Sequence, residues 1–527
     1  MDRRRFLQVS SAGLAALSAP RLGLAADQRV LKFVPHADLS VVDPTWNNAY
    51  VTRNHGYMVF DTLFAQDGSY RMQPQMLEGF TVEDDGRRWV MKLRDGLVFH
   101  DGTKVLARDC VASLNRWAKR DEFGRNLFAV TDELAAPDDR TVVFRLKRPY
   151  PLLPMALGKT GLMMAAIMPE RIANSDPDKP ITEVVGSGPY RFKADERLAG
   201  DRVVYERFAG YVPRASGTPE GTAGPKVAMF DRVEWKIIAD ASTAGAAIRT
   251  GEVHWWELPG ADMLPLMRRT RGVKVETLDP SGYVAALRIN HLHAPTANAA
   301  IRRAMVRAIS QRDVVMAMAG TDPKLWRDNV GYFCPETTFA NDAGIEAVAS
   351  PRDPQAVKRA LGEAGYGGEK ITLMVPEDLQ INALPSTVVA DNLTKAGFNI
   401  DYVSTDWGTL VQRRIKKDPP SQGGWGAYVV LNSGTDMLTP AVHAGLRGNG
   451  SALNGWCESP GMEKERDAWL AASDQAGQIA AARALQSQAF TDVPYIPLGQ
   501  IAQLTVFRDD LSGMIKGMPV FWNIRRG

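Results

Sequence analysis

The stretch ITLMVPEDLQINALPSTVVADNLTKAGFNIDYVST, residues 371–405, decides the fold class. Residues 371–375 are predominantly apolar, as in a buried strand, and residues 386–396 carry apolar side chains at helical spacing. Gly397 fits the left-handed position that often ends a helix. Apolar residues then alternate with polar ones over residues 398–402, which predicts a second strand. A strand–helix–strand unit of this kind is typical of α/β proteins.

A further helix and a second unit extend this pattern outward. Asp406 can cap a helix whose apolar face includes Trp407 and Leu410. Far upstream, residues 233–238 and 253–257 predict two strands that flank a short helix. Two such units in separate regions predict two α/β lobes.

The segment between the N-terminus and the first of these units has a different organisation. Residues 76–151 combine short strands with one helix, which predicts an α+β subdomain inserted in the first lobe. The cluster Asp-Pro-Ser-Gly at residues 279–282 predicts a turn at the change of lobe, and a second change is predicted near residues 494–498. We therefore expect lobe one over residues 27–280 and lobe two over residues 281–498.

The N-terminus predicts an export signal. Three consecutive arginines, residues 3–5, precede a weakly apolar run over residues 9–19. That run is too short to cross a bilayer, which takes ~20 residues, so it indicates a removed targeting segment. The arginines resemble a twin-arginine export signal, and small residues place the cleavage just before Asp27. We expect a signal peptide over residues 1–26, a periplasmic protein and no membrane insertion.

Composition excludes several classes of function. The whole chain carries a formal charge of +3, and residues 1–26 account for all of it. A neutral mature chain has no electrostatic reason to bind nucleic acid or anionic lipid. The cysteines form no CxxC pair, and His291 and His293 have no acidic or cysteine cluster nearby in the sequence, so we expect no metal and no other cofactor.

The three cysteines allow one disulfide in an oxidising compartment. Cys334 and Cys457 both lie in turn-like segments and are the better pair. Cys110 lies in a helix-like stretch, where we expect a buried free thiol.

Five segments carry a resemblance to a known family. They occur in the family's order and spread over nearly the whole chain: WVMKLRDGLVFHDGTKVLARD (89–109), GSGPYRF (186–192), IRRAMVRAISQRDVV (301–315), DPQAVKRALGEAGY (353–366) and DVPYIPLG (492–499). Together they resemble the family 5 extracellular solute-binding proteins, which serve peptide, nickel and opine ABC importers. The resemblance implies a two-lobed clamp of the type II periplasmic-binding-protein class. It also implies that the second lobe is inserted in the first, so that residues 499–527 return to lobe one.

The resemblance points to one site at which this chain departs from the family. In the peptide-binding branch, a segment Gly-Trp-x-x-Asp supplies the carboxylate that pairs with the α-ammonium group of the peptide. The equivalent segment here is GWGAY, residues 424–428, so that Tyr428 stands where the carboxylate would be. Tyrosine cannot neutralise an ammonium group, so the ligand either lacks that group or places it elsewhere, unless Asp436 substitutes.

Other candidate ligand-binding residues follow from the same resemblance. Trp425 lies between glycines that would leave its ring open to a ligand, and Trp407 falls where the oligopeptide branch has a pocket tryptophan. The loop His36-Ala37-Asp38 follows the first strand, at a place where family members contact the ligand backbone. For Trp407 the alternative is packing with Leu410, and for the loop it is a plain connection.

These observations predict a monomeric receptor that catalyses nothing. It would capture a peptide or another small organic solute between its lobes and deliver it to an ABC permease with its ATPase subunits. Two alternatives stay open: an exported cofactor-dependent enzyme and a periplasmic peptide-binding chaperone.

Overall fold

The computed structural model describes residues 29–161, 163–349 and 352–527. The predicted signal peptide lies outside these residues. The strands are β1 (Val30–Val34), β2 (Phe64–Gln66), β3 (Met72–Pro74), β4 (Leu77–Glu83), β5 (Arg88–Leu93), β6 (Thr131–Ala135), β7 (Thr141–Leu146), β8 (Tyr190–Phe192), β9 (Arg202–Arg207), β10 (Arg232–Lys236), β11 (Trp255–Trp256), β12 (Val273–Ile289), β13 (Trp326–Arg327), β14 (Ile371–Pro376), β15 (Ile400–Thr405), β16 (Ala427–Ser433), β17 (Tyr495–Arg508), β18 (Leu511–Ser512) and β19 (Arg525–Arg526). The α-helices are α1 (Tyr50–Val59), α2 (Ala107–Arg120), α3 (Glu122–Ala129), α4 (Leu153–Gly158), α5 (Glu170–Ala173), α6 (Ala241–Thr250), α7 (Leu264–Arg269), α8 (Ala299–Ala308), α9 (Gln311–Ala319), α10 (Glu346–Ala349), α11 (Pro354–Glu363), α12 (Gln380–Lys395), α13 (Trp407–Arg413), α14 (Pro460–Ala471) and α15 (Gln475–Asp492).

An eleven-stranded sheet runs through the molecule in the order β15-β14-β16-β12-β17-β11-β1-β10-β9-β8, with β13 paired to β17. We call the half that contains β1 and β8–β11 the first lobe, and the half that contains β14–β16 the second lobe. The long antiparallel strands β12 and β17 pair along most of their length and belong to both halves. The fold is therefore a mixed α/β structure with two lobes, as predicted.

The strand–helix–strand units form as the sequence predicts. In the second lobe, α12 connects the parallel strands β14 and β15, and Gly397 adopts φ +103° after the helix. In the first lobe, α6 begins at its cap Asp240 and ends at Gly251, which adopts φ +79°. Helix α12 starts at Gln380, six residues before the predicted start, and it includes Pro385.

The inserted subdomain is a four-stranded sheet with the order β4-β5-β7-β6. Helix α2 packs on this sheet with a buried face that includes Cys110, Leu114 and Trp117. Cys110 is a fully buried free thiol, as predicted.

The segment predicted as a turn at residues 279–282 is instead part of β12. The pairing of β12 with β17 shifts register between Thr277 and Asp279 and again between Asp279 and Tyr283. Such shifts are characteristic of β-bulges, which bend a strand without ending it. The turn-forming residues of this segment thus produce a local irregularity in a continuous strand.

An aromatic cluster builds the core of the first lobe and includes the C-terminal segment. The ring of Phe33 on β1 contacts Trp255 and Phe521 at centroid distances of 4.8 and 5.0 Å. Burial of one large apolar side chain stabilises a fold by about 1.5–3 kcal/mol, so these contacts hold the C-terminal residues against β1. Within the described ranges, no helix combines the length and the apolar character that a membrane span needs.

Candidate functional site

A cavity of about 820 Å³ lies between the two lobes, and we call it the cleft. Tyr50 and Lys159 line it on the side of the first lobe, and Arg288 and Tyr428 line it on the side of the second. Its volume lies in the range typical of small-molecule sites.

Tyr428 reaches the cleft because of the register of three strands. It lies on β16 directly opposite Arg288 on β12, and Arg288 lies opposite Tyr495 on β17. Side chains opposite each other in neighbouring strands share one face of the sheet. The residues Tyr428, Val430 and Asn432 alternate along β16 and all line the cleft.

Trp425 lies behind Tyr428 rather than in the cleft. Its ring is fully buried and meets the ring of Tyr428 edge-on at a centroid distance of 5.0 Å. On another side it contacts Trp456, at 5.9 Å. The expectation that its flanking glycines leave the ring open is therefore wrong, because Tyr428 and Trp456 cover it. Trp425 supports the wall that Tyr428 forms.

Trp407 lines the cleft, where the resemblance places it. It begins helix α13, whose cap is Asp406, and its backbone N–H donates to the Asp378 carboxylate at 2.8 Å. The guanidinium of Arg414, just after α13, lies 5.9 Å from the ring centroid of Trp407. In α13 the fully buried side chain is that of Leu410, so Leu410 belongs to the core and Trp407 does not.

Asp436 lies in the cleft and connects the two lobes. The hydroxyl of Tyr50 on α1 donates to Asp436 Oδ2 at 2.6 Å and accepts the backbone N–H of Ser433 at 2.7 Å. Burial and the neighbouring Asp436 carboxylate hold the pKa of Tyr50 well above its ordinary value. Tyr50 is therefore a neutral donor that holds the lobes together.

The loop His36-Ala37-Asp38 lies apart from the cleft lining. Two hydrogen bonds, at 2.7 and 2.8 Å, join His36 to the buried carboxylate of Glu257. Burial raises the pKa of Glu257, but the charge and hydrogen bonds of His36 outweigh burial and lower it overall. Asp38 accepts the backbone N–H of Gly200, and Ala37 is exposed. The contacts seen for this loop are those of a connection within the first lobe.

The acidic groups of the cleft have cationic or hydroxyl partners. Asp121 pairs with Lys159 at 2.9 Å, and Glu122 pairs with Arg447 across the lobes. Arg288 and Arg414, by contrast, form no ion pair within residues 29–161, 163–349 and 352–527. The cleft therefore has unneutralised positive charge on its second-lobe wall.

His443 completes that wall as a neutral group. Burial lowers its pKa to about 3, with the charge of Arg288 acting in the same direction. Its Nε2 lies 2.9 Å from the Tyr332 carbonyl and from the Tyr495 hydroxyl.

Four further residues line the cleft that no sequence motif singles out: Tyr50, Arg288, Arg414 and His443. One signal was present, because Arg288 interrupts the apolar strand AALRI. A charged residue within an otherwise apolar strand needs a polar environment, and here it faces the cleft.

The cysteines differ from the prediction. Cys334 and Cys457 are free thiols, so the predicted disulfide between them is absent from this structure. Cys334 Sγ lies 3.6 Å from the Ser281 carbonyl, beside β12. Cys457 lies instead among Arg302 and Asp492, whose charges act on its thiol. The two thiols thus belong to different packing environments.

The two histidines considered as a metal pair bind separate carbonyl groups. His291 Nε2 lies 3.2 Å from the Pro494 carbonyl, and His293 Nε2 lies 2.7 Å from that of Lys417. Among the described residues, no group of three or more His, Cys, Asp or Glu side chains could hold a metal ion.

Comparison with solved structures supports the two-lobed fold. The structure superposes with a TM-score of 0.77 on the periplasmic binding protein AgaA from A. tumefaciens R10 in complex with agropinic acid, at 19% identity over 94% of this chain and 99% of that one. It also superposes with a TM-score of 0.77 on DppA from Helicobacter pylori in complex with the peptide STSA, at 20% identity over 94% of this chain and 98% of that one.

Comparison of sequences identifies the family. The chain is 34% identical, over 100% of its own length and 99% of the relative's, to the "probable peptide ABC transporter periplasmic-binding protein y4tO" of Sinorhizobium fredii. It is 26% identical, over 70% of its length and 67% of the relative's, to the glutathione-binding protein GsiB of Pectobacterium atrosepticum. Residues 71–443 match the family model described as "Bacterial extracellular solute-binding proteins, family 5 Middle". The chain therefore belongs to the family 5 bacterial extracellular solute-binding proteins.

Proposed function

We propose that this protein is the periplasmic receptor of an ABC importer, which captures a peptide or another small organic solute in the cleft and delivers it to a membrane permease. The observation that carries the proposal is a cleft lined from both lobes, in a chain that passes between the lobes along β12 and β17. A ligand that contacts both lobes favours closure, because only differential affinity shifts an equilibrium between two conformations. The relatives described as peptide- and glutathione-binding support a peptide-like solute, and the AgaA complex supports an opine-like one.

The predicted division of the chain forms part of this proposal. Lobe one would span residues 27–280, with the subdomain at about 76–151, and lobe two residues 281–498, before residues 499–527 return. The irregular pairing near Asp279 and Tyr283, opposite Gln503 and Ile501, marks where we propose that the lobes bend. A bulged strand pair can flex at this point without breaking the rest of the sheet.

Purification from the native periplasm followed by native mass spectrometry tests the receptor function. We expect a small organic solute to co-purify, and small-angle scattering to show compaction when that solute is added back to stripped protein. A coloured or metal-bearing preparation would favour an exported enzyme instead. Competition by unfolded proteins, with none by small solutes, would favour a chaperone.

Export through the twin-arginine route is proposed from residues 1–26, which lie outside the described residues. The recognition would depend on guanidinium groups, for which lysine is not equivalent in hydrogen-bond geometry. Replacement of Arg3 and Arg4 by lysine should therefore leave precursor in the cytoplasm, measured by fractionation and immunoblotting. Normal export of this double variant would point to the general secretory route.

A further inference from the structure

Arg288 is a mostly enclosed cation whose neighbours are neutral or positive. Its guanidinium lies 5.0 Å from the ring centroid of Tyr495, and its Nη2 lies 3.4 Å from Asn432 Oδ1. Burial lowers the pKa of Arg288, and the nearby charge of Arg414 acts in the same direction. A cation–π contact offsets only part of the cost of burying a charge.

Two further donors beside Arg288 lack acceptors. Arg414 Nε and Asn432 Nδ2 are buried and have no hydrogen-bond partner in the part of the chain that the structure describes. Both side chains line the cleft together with Arg288. Buried donors in native proteins are normally satisfied, so these two donors favour a ligand group that carries acceptor atoms.

The charge balance of the cleft points the same way. Six of its lining side chains are cationic and three are acidic. The three acidic side chains already bind Lys159, Arg447 and Tyr50. An anion at the opposite wall would neutralise Arg288 and Arg414. It would also accept hydrogen bonds from the donors that lack partners, Arg414 Nε and Asn432 Nδ2. Arginine is suited to this task because its planar fork binds a carboxylate through two parallel hydrogen bonds.

We infer that the second-lobe wall of the cleft is a carboxylate-binding subsite, in which Arg288 and Arg414 hold an anionic group of the ligand and Asn432 donates to it. This inference rests on the proposed receptor function and names its ligand class. The anchor of the ligand is then its carboxylate, and a free ammonium group is dispensable.

Three tripeptide pools test the inference. They contain the same set of sequences and differ only at the termini: one has free termini, one has C-terminal amides and one is N-acetylated. We expect calorimetry to show binding of the free and N-acetylated pools, and binding of the amides to be weaker by roughly 30-fold or more, since loss of one partner of a buried charged hydrogen bond is costly. Arg288→Gln and Arg414→Gln should weaken binding of the two pools that have a free carboxylate, and should abolish the discrimination against amides. Arg359→Gln, an exposed position on α11, is the matched control and should change nothing.

The ligand-free protein provides a second measurement. Because Arg288 is an uncompensated cation without ligand, Arg288→Gln should raise the thermal midpoint of the stripped protein, whereas a purely structural arginine would lower it when replaced. Equal binding of acids and amides, loss of the N-acetylated pool, or binding of none of the pools would overturn the inference. Compaction on a co-purified solute would still leave the receptor function standing in each of these cases.

Discussion

Tyr428 forms the cleft wall and Trp425 supports it, and this division gives different expectations for the two residues. Tyr428→Phe removes only a hydroxyl, so it should weaken ligand binding by about 0.5–1.5 kcal/mol if that group bonds the ligand. Trp425→Ala should instead lower the free energy of unfolding by about 3–5 kcal/mol, because it empties a buried site. Calorimetry and urea denaturation separate the two effects. An unchanged stability of Trp425→Ala would contradict the supporting role.

Buried neutral histidines make stability depend on pH. Burial lowers the pKa values of His55, His291 and His443 to about 3, below the ordinary value of 6.5. As the pH falls, these histidines therefore take up protons in the unfolded chain before they do so in the folded protein. The stability that they contribute is complete above pH 6.5 and declines as the pH falls toward 3. Each histidine contributes at most about 1.4 kcal/mol per pH unit. We expect His443→Gln to flatten the decline measured by denaturation between pH 7.5 and 5, and parallel curves would refute this.

At the scale of elements, the bulged part of β12 depends on a glycine. Gly282 has φ +54°, and a Cβ there would lie 2.3 Å from the carbonyl oxygen of Ile501 on β17. Backbone strain alone costs about 1–3 kcal/mol. Gly282→Ala should lower the free energy of unfolding by more than that, because the added Cβ also collides with β17. Gly251→Ala, also at positive φ but with open space around its Cβ, is the control that isolates strain. Equal losses of unfolding free energy in the two variants would show that the contact with β17 is unimportant.

At the scale of the whole molecule, the Tyr50–Asp436 hydrogen bond should favour the closed state. Tyr50→Phe removes a bond to a charged group, worth about 1.5–3 kcal/mol, and should weaken ligand affinity by increasing the open population. Small-angle scattering should show a larger radius of gyration for the ligand-free variant. Tyr402→Phe is the control, because its hydroxyl bonds the exposed Glu377 outside the cleft. An identical radius and affinity in Tyr50→Phe would exclude this role.

The local patterns of the sequence determined the elements and the fold class. Apolar periodicity predicted the units around α6 and α12, and Gly251 and Gly397 adopt the left-handed conformation expected at their ends. These features follow from the sequence because hydrophobic periodicity and glycine's conformational freedom are properties of neighbouring residues. The family motifs, which also lie within short segments, predicted the two-lobed receptor.

Only the tertiary structure decided which side chains meet in the cleft. Strand register placed Arg288 opposite Tyr428 and Tyr495, although 140 or more residues separate it from either. In the folded protein Trp456 packs against Trp425, and His36 hydrogen-bonds to Glu257. Cys334 and Cys457 remain free thiols in different packing environments. A motif fixes the type of a residue but not its long-range neighbours, and burial and charge balance depend on those neighbours. The unpaired arginines therefore became visible only once the lobes were assembled.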